Sequence, residues 1–257
     1  MTAQTRSVLI TGGAERIGRA LAFSLARDGW HVVVHYNRSR DSAAELVETI
    51  RAEGGLADAI HADLGDLHAA ETLAEQAVKA AKALGGRLEA VINNASLFRY
   101  DTLNDMTPDG FDAHMAVNLR SPLFLCRRAA ALMGEAGGCI INLLDNKINA
   151  PNPDYFTYTI AKLALASATG TLALALAPHV RVCGIAPGIT LPSGAQSVAE
   201  FEKAHRANPL HRGCTPEQVA QAVHFILSTP AMTGQTIVID GGQSLVNPGR
   251  DVAFIPL

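Results

Sequence analysis

Tyr158 and Lys162 stand four residues apart in Tyr-Thr-Ile-Ala-Lys, a spacing that puts a phenol and an ammonium on one face of a helix. A free phenol, with a pKa near ~10, is a poor acid–base catalyst at neutral pH. Holding it near ~7 needs about 4 kcal/mol of differential stabilisation, which a neighbouring ammonium and the positive ring of an oxidised nicotinamide would favour. Tyr155 has Thr159 at the same offset and lacks such a partner. A bare Tyr-x-x-x-Lys pair also arises by chance on helix surfaces, so its weight comes from its surroundings.

A second constellation opens the chain. Positions 7–18 read Ser-Val-Leu-Ile-Thr-Gly-Gly-Ala-Glu-Arg-Ile-Gly, a short apolar strand followed by a Gly-rich turn that starts a helix. Gly12 lets the backbone turn sharply, Gly18 permits close approach of the helix, and the first-turn amides around Arg16 and Ile17 would face a pyrophosphate. The next apolar run, His31–His35, leads into Tyr36-Asn37-Arg38-Ser39-Arg40, with no acid before Asp41. A carboxylate there would accept the 2′-OH of NAD, whereas Arg38 and Ser39 offer donors to a 2′-phosphate, so NADPH is the expected cofactor. A solvated basic turn is the plainer alternative.

These groups need a frame. Short strands are expected at Ser7–Ile10, His31–His35, Ala57–His61, Ala90–Ile92, Cys139–Leu143, Val180–Ile185 and Thr236–Asp240, apolar nearly throughout as in parallel strands covered on both faces. Between them, helical periodicity marks Gly18–Arg27, Ser42–Ala52, Leu67–Ala83, Pro108–Met133, Tyr155–Ala177 and Pro216–Leu227. Ser42 with Glu45, and Thr215-Pro216 with Gln218, read as capping boxes. Strict alternation predicts one doubly wound α/β Rossmann-type domain over 1–257, with a seven-stranded parallel sheet. Two stretches fall outside the rhythm: Ile189–Cys214, read as a mobile excursion over a site, and the tail Ser244–Leu257.

Composition narrows the function classes. The 257 residues are 48% hydrophobic but only 18% charged, with 21 Lys+Arg against 24 Asp+Glu. That excludes disorder and argues against nucleic-acid binding through bulk basicity. Cys126, Cys139, Cys183 and Cys214 form no C-x-x-C pair, so neither a disulfide framework nor a metal site is expected. The N-terminus lacks a signal-peptide apolar region. Leu163–Val180 carries no charge over a length that raises a membrane flag, yet Ser167, Thr169, Gly170, Thr171 and Pro178 interrupt it and Lys162 precedes it. It reads as a helix buried by protein, in a soluble, cytoplasmic chain.

Over essentially its whole length the sequence resembles the short-chain dehydrogenase/reductase family. The resemblance is carried by Thr11-Gly12…Gly18, Ala62-Asp63-Leu64, Asn93-Asn94-Ala95, Asn118, Tyr158/Lys162 and Pro187-Gly188. It implies that Asp63 and Leu64 meet the adenine and that Asn93 and Ala95 border the adenosine side. Lys162 would hold the nicotinamide ribose, Asn118 would anchor a proton-relay water, and Pro187-Gly188-Ile189-Thr190 would contact the carboxamide. Tyr158 would be the proton donor, with pro-S-type hydride delivery from the nicotinamide.

The departures from the family pattern say more. Arg16 stands where glycine is usual, Ser96 follows Asn-Asn-Ala in place of glycine, and Asp145 occupies the position thirteen residues before the tyrosine where most members carry serine. With His35-Tyr36-Asn37-Arg38-Ser39 and Phe98, these look like the pteridine reductase branch, which includes bacterial dihydromonapterin reductases. A serine hydroxyl donates to a substrate carbonyl; an ionised aspartate cannot, and would repel oxyanion charge. An imine nitrogen instead gains a proton as hydride reaches carbon, and a carboxylate coupled to a tyrosine suits that. Phe98 offers a flat face to sandwich a pteridine, and Arg16 and Ser96 could bond both cofactor phosphate and the ring's polar edge. Plainer readings stand beside these: Phe98 as core, Ser96 as a turn residue, Arg16 as a phosphate ligand alone, Asp145 as a helix cap.

The expected activity is NADPH-dependent reduction of a dihydropterin, such as dihydrobiopterin or dihydromonapterin, to the tetrahydro form. A carbonyl reductase of the same family, acting on a 3-oxoacyl thioester or similar, is the main rival, and a catalytically silent NADPH-binding protein a lesser one. The small residues of Leu163–Val180 suggest helix packing between subunits, and the family resemblance a homotetramer. The tail, with Arg250 and the apolar stretch 253–257, is a candidate to dock on a neighbouring subunit near its site.

Overall fold

A computed structural model describes residues 4–193, 196–246, 249–251 and 254. Seven parallel strands form one sheet in the order β3-β2-β1-β4-β5-β6-β7: β1 (Arg6–Ile10), β2 (His31–Tyr36), β3 (Leu56–His61), β4 (Arg87–Asn93), β5 (Gly138–Leu143), β6 (Val180–Pro187) and β7 (Thr236–Ile239). The register pairs Leu9 with Val33 on one side and with Val91 on the other. Successive side chains point to opposite faces. Val8, Ile10, Val32 and Val34 therefore pack under α1 (Arg16–Arg27), α2 (Arg40–Ala52) and α8 (Pro216–Ser228), while Leu9, Val33 and Val91 pack under α3 (Ala69–Ala83), α5 (Ser121–Met133) and α6 (Phe156–Leu176). The strand order reverses at β1/β4, and a doubly wound sheet opens its ligand crevice at the carboxyl ends there.

The strands and the Thr215/Gln218 capping box lie where the sequence predicts, but four local expectations change. Ser42 is not a cap: α2 starts at Arg40 behind Ser39, and the Ser42 hydroxyl donates to Glu15 Oε1 while Arg19 takes Glu45. Pro108–Met133 is not one helix. It divides into α4 (Pro108–Met115), a π-helical turn at Ala116–Arg120 and α5. Pro122 has no N–H to give the Asn118 carbonyl, so an uninterrupted α-helical ladder cannot run through this point. Within the excursion, α7 (Val198–Arg206) forms behind a Ser197/Glu200 capping box, a Ser-x-x-Glu signal in a stretch read as irregular. Gly194 lies outside the described residues. Finally, α6 begins after Tyr155, which adopts a left-handed conformation with φ 53°.

Candidate active site

A cleft of about 1490 Å³ runs along the carboxyl ends of the strands. That exceeds the roughly 300–1,000 Å³ of a single small-molecule site, leaving room for two ligands side by side. One end is the Gly-rich turn. Gly12 has φ +60°, and a Cβ on it would come within 3.0 Å of the Ala95 Cα; a Cβ on Gly18 would strike the Gly12 carbonyl at 2.2 Å. Asn94 Nδ2 donates to the carbonyls of Thr11 and Gly12, both at 2.9 Å, and the Thr11 hydroxyl accepts from the amides of Asn94 and Ala95. Buried His35 completes the brace. Its Nδ1 accepts from the Gly12 amide at 3.0 Å, and its Nε2 donates to the Ala62 carbonyl at 3.1 Å. Burial pulls its pKa down to about 4, so the ring is neutral at physiological pH.

This end fits a dinucleotide. The start of α1 is not capped by its own Glu15 side chain, and its first residues, Arg16 to Gly18, line the cleft; Ser39, which makes no capping bond to α2, lines it as well. Arg38 is exposed on the cleft rim beside Ser39. Asn37 donates to Asp63 Oδ1 at 3.1 Å, fixing that carboxylate next to Leu64. Ile17, Tyr36, Ala95, Pro187, Gly188 and Thr190 also line the cleft, and Thr190 folds back to donate to the Gly188 carbonyl. Arg16 carries the left-handed φ of 55° that the family's glycine would adopt freely, and its Nη1 donates across the cleft mouth to the Pro192 carbonyl at 2.9 Å.

At the other end, the Tyr158 hydroxyl donates to Asp145 Oδ2 at 2.7 Å, and Asp145 Oδ1 accepts from the Lys147 amide at 2.9 Å. Lys162 sits under Leu143, donating to its carbonyl at 2.6 Å, with its Nζ 5.7 Å from the Tyr158 ring centroid. Desolvation raises the Asp145 pKa and, with the Asp145 charge, holds the Tyr158 phenol well above its ordinary value; the nearby Ser96 hydroxyl works in the opposite sense. Burial pulls Lys162 down to about 8, still cationic at pH 7. Tyr158 here is a phenol bonded to a carboxylate, and burial is the largest cause of its raised pKa. Asp145, not Lys162, dominates the electrostatics of Tyr158.

An aromatic wall stands over this pair. Phe98 stacks on Tyr155 at 4.1 Å and meets Tyr158 edge-on at 4.7 Å, while Tyr100 and Phe254 flank Tyr155. At 40% exposure Phe98 is open to the cleft, not a core residue.

Two expected residues face elsewhere. Asn93 shares the face of Val91 by strand alternation, so its amide is buried against Asn142 Oδ1 (2.8 Å) and Cys126 Sγ; Asn94, one position on, faces the cleft. The Asn118 side chain spends both its groups on the Leu97 backbone, at 2.7 and 2.8 Å, and so positions the Ser96–Phe98 segment. Asn94, Lys147, Glu200 and Lys203 also line the cleft, beyond the residues that the sequence motifs single out. Asn94 was visible in Asn-Asn-Ala, whereas Lys147 gave no signal because its role depends on residues far along the chain. Arg250, the tail residue singled out in the sequence, binds Asp154 of the same chain through its guanidinium, at 2.7 and 2.8 Å. Positions 253 and 255–257 lie outside the described residues.

A Gly-rich turn at the sheet's switch point and an Asp–Tyr–Lys set on one cleft define a dinucleotide-dependent oxidoreductase fold, and the chain belongs to the short-chain dehydrogenase/reductase family. Residues 12–244 match the family described as enoyl-(acyl carrier protein) reductase. Among solved structures, the chain is 38% identical to FolM alternative dihydrofolate reductase 1 from Brucella suis in complex with NADP, covering 96% of this chain and 97% of that one with a TM-score of 0.89. It is 32% identical to the angucycline C-6 ketoreductase LanV with bound NADP, at a TM-score of 0.86 over 94% and 96% of the two chains. A 3-oxoacyl-[acyl-carrier-protein] reductase from Synechocystis is 33% identical over 249 residues, 94% of this chain and 98% of the relative.

Proposed function

We propose that the protein is an NADPH-dependent pteridine reductase that converts a dihydropterin to its tetrahydro form. The observation that carries this reading is the 2.7 Å bond from the Tyr158 hydroxyl to Asp145 Oδ2. NADPH, when bound, supplies the hydride that reaches the carbon of a ring C=N. Tyr158 gives a proton to the adjacent nitrogen, Asp145 favours the positive charge developing there, and the Lys162 ammonium offsets the negative charge left on the pair. Two neighbouring anions cannot both ionise freely in a desolvated site, so the pair retains one proton until an acceptor arrives. Phe98 supplies a face for the bicyclic ring, and Arg38 with Ser39 supports the preference for the 2′-phosphate. The Brucella dihydrofolate reductase neighbour with NADP supports both cofactor and substrate class.

A carbonyl reductase is the second reading, favoured by the ketoreductase and 3-oxoacyl reductase relatives. NADPH oxidation against a panel of dihydrobiopterin, dihydromonapterin, dihydrofolate and acetoacetyl thioester separates the two. Turnover of pterins, with NADPH preferred at least tenfold over NADH, is expected; turnover of the thioester alone would install the second reading.

We further infer a cytoplasmic homotetramer. Helix α6 is long and apolar enough to cross a membrane by length and composition, but its first turns carry Tyr158 and Lys162 into the cleft. Its outer face, Ile160, Ser167, Thr171 and Leu174, is exposed and uncharged, which suits a partner subunit. Light scattering at micromolar concentration tests this, and a monodisperse monomer would refute it.

A further inference from the structure

Lys147 is a lysine with only 6% of its surface exposed, a location that destabilises an ammonium by several kcal/mol unless it is paired. Its Nζ meets Asp251 Oδ2 at 2.8 Å, Asn152 Oδ1 at 2.7 Å and the Asp154 carbonyl at 3.4 Å. Asp251 lies over a hundred positions along the chain, and it is held from a second side. Its amide donates to Asp154 Oδ2 at 2.8 Å, while Arg250 grips both oxygens of the same buried carboxylate. Two cations and two anions thus alternate around one point, and Lys147 and Asp154 clamp residues 250–251 to the cleft wall. Phe254 follows, its amide bonded to the Asp251 carbonyl and its ring 5.1 Å from that of Tyr100.

The same Lys147 donates its backbone N–H to Asp145 Oδ1. Its side chain is therefore fixed by the C-terminal segment and its main chain fixes the carboxylate that binds Tyr158. We propose that Lys147 is a positioning residue and Asp251 its counter-ion, through which residues 250–251 of the same chain set the orientation of the Asp145–Tyr158 pair. The inference rests on the reading of that pair as the proton-donating group, and it holds for either substrate class. The bond from the Lys147 amide to Asp145 Oδ1 caps the short 146–148 turn, so the tail contact and the carboxylate that binds Tyr158 meet in one segment. With that bond in place, loss of Asp251 leaves the Lys147 ammonium on the uncharged oxygens of Asn152 and the Asp154 carbonyl, without its counter-ion, and lets the 145–148 turn shift by fractions of an ångström, enough to spoil proton delivery.

The test compares Lys147→Met, Asp251→Asn and the double variant Lys147→Gln/Asp251→Asn with the wild type, using whichever substrate the wild type reduces. Each single variant is expected to lose roughly 10- to 100-fold in kcat, the order that follows misplacement of a reacting group, with KM for NADPH unchanged. Hydrogen exchange in peptides spanning 145–150, which needs no activity, should accelerate. The double variant leaves no unpaired buried charge and should recover thermal stability without recovering kcat. Recovery of kcat together with stability would reduce Lys147 to a structural role. Wild-type kcat with unchanged exchange would overturn the proposal outright. A wild type that reduces thioesters and ignores pterins defeats the proposed function yet leaves this comparison intact; one inert on both leaves the exchange measurement to decide.

Discussion

The Tyr158 hydroxyl lies 2.7 Å from Asp145 Oδ2, and the second oxygen of that carboxylate is taken by the Lys147 amide. Both oxygens are thus engaged in holding one orientation, with the phenol as donor. A site arranged this way has a proton to give and a negative charge beside it, which lowers the barrier for a substrate that becomes positive and raises it for one that becomes negative.

Asp145→Ser should therefore exchange one preference for the other. Serine restores a hydroxyl donor toward a carbonyl oxygen and removes the charge that opposes an oxyanion. Turnover of a dihydropterin should drop by about the 10²–10⁴ range of a lost general acid–base partner, while acetoacetyl thioester reduction rises. Tyr158→Phe should lose both activities by a similar factor and keep NADPH affinity. Steady-state kinetics on both substrates checks this; a thioester rate that also falls would show that Asp145 is not the discriminating group.

Arg38→Ala should weaken NADPH and spare NADH. A charge-assisted bond contributes about 1.5–3 kcal/mol, equivalent to roughly 10- to 100-fold in affinity. Fluorescence titration with each cofactor gives the ratio. Equal weakening would remove Arg38 from 2′-phosphate recognition.

The frame was legible because it depends on local patterns. Apolar Val- and Ile-rich runs such as His31–Val34 read directly as strands covered on two faces, and Tyr158/Lys162 reads directly as a helix face. What escaped depends on contacts across long separations or on parity. Asn93 and Asn94 look interchangeable in sequence, and only the pleat decides which one enters the cleft. Ser42 and Glu45 have capping spacing, but Glu15 and Arg19 of the neighbouring helix compete for them. Lys147 means nothing without Asp251.

Arg16→Gly should leave the stability of the fold close to unchanged, because opposing contributions nearly cancel. A side chain at φ 55° costs about 1–2 kcal/mol relative to glycine, and against this stands one exposed bond to the Pro192 carbonyl, worth about 0.5–1.5 kcal/mol, together with glycine's greater freedom in the unfolded chain. The urea midpoint should hold at constant m-value, while KM for the substrate increases because residues 189–193 lose their tether to the Gly-rich turn. A clearly lower midpoint would show that the Pro192 contact outweighs the backbone strain.

His35 gives the fold an acid-sensitive joint. It is neutral in the folded protein because Nδ1 must accept the Gly12 amide and burial disfavours the imidazolium, which pulls its pKa to about 4 from the ordinary 6.5. Above pH 6.5 the ring is neutral folded or unfolded, so stability does not depend on it. Between 6.5 and about 4 only the unfolded chain takes up the proton, and stability falls by at most about 1.4 kcal/mol per pH unit on this account, on the order of 3 kcal/mol in all. His31, also lowered by burial, acts in the same direction. His35→Asn keeps an oxygen acceptor for the Gly12 amide and cannot titrate in this range. It should be less stable at pH 7, where the bond to Ala62 is missed, yet lose less stability as the pH drops. Urea unfolding at pH 7, 6, 5 and 4.5 measures both slopes. Parallel slopes for the two proteins would mean that His35 is charged in the fold and that some other group holds the Gly12 turn.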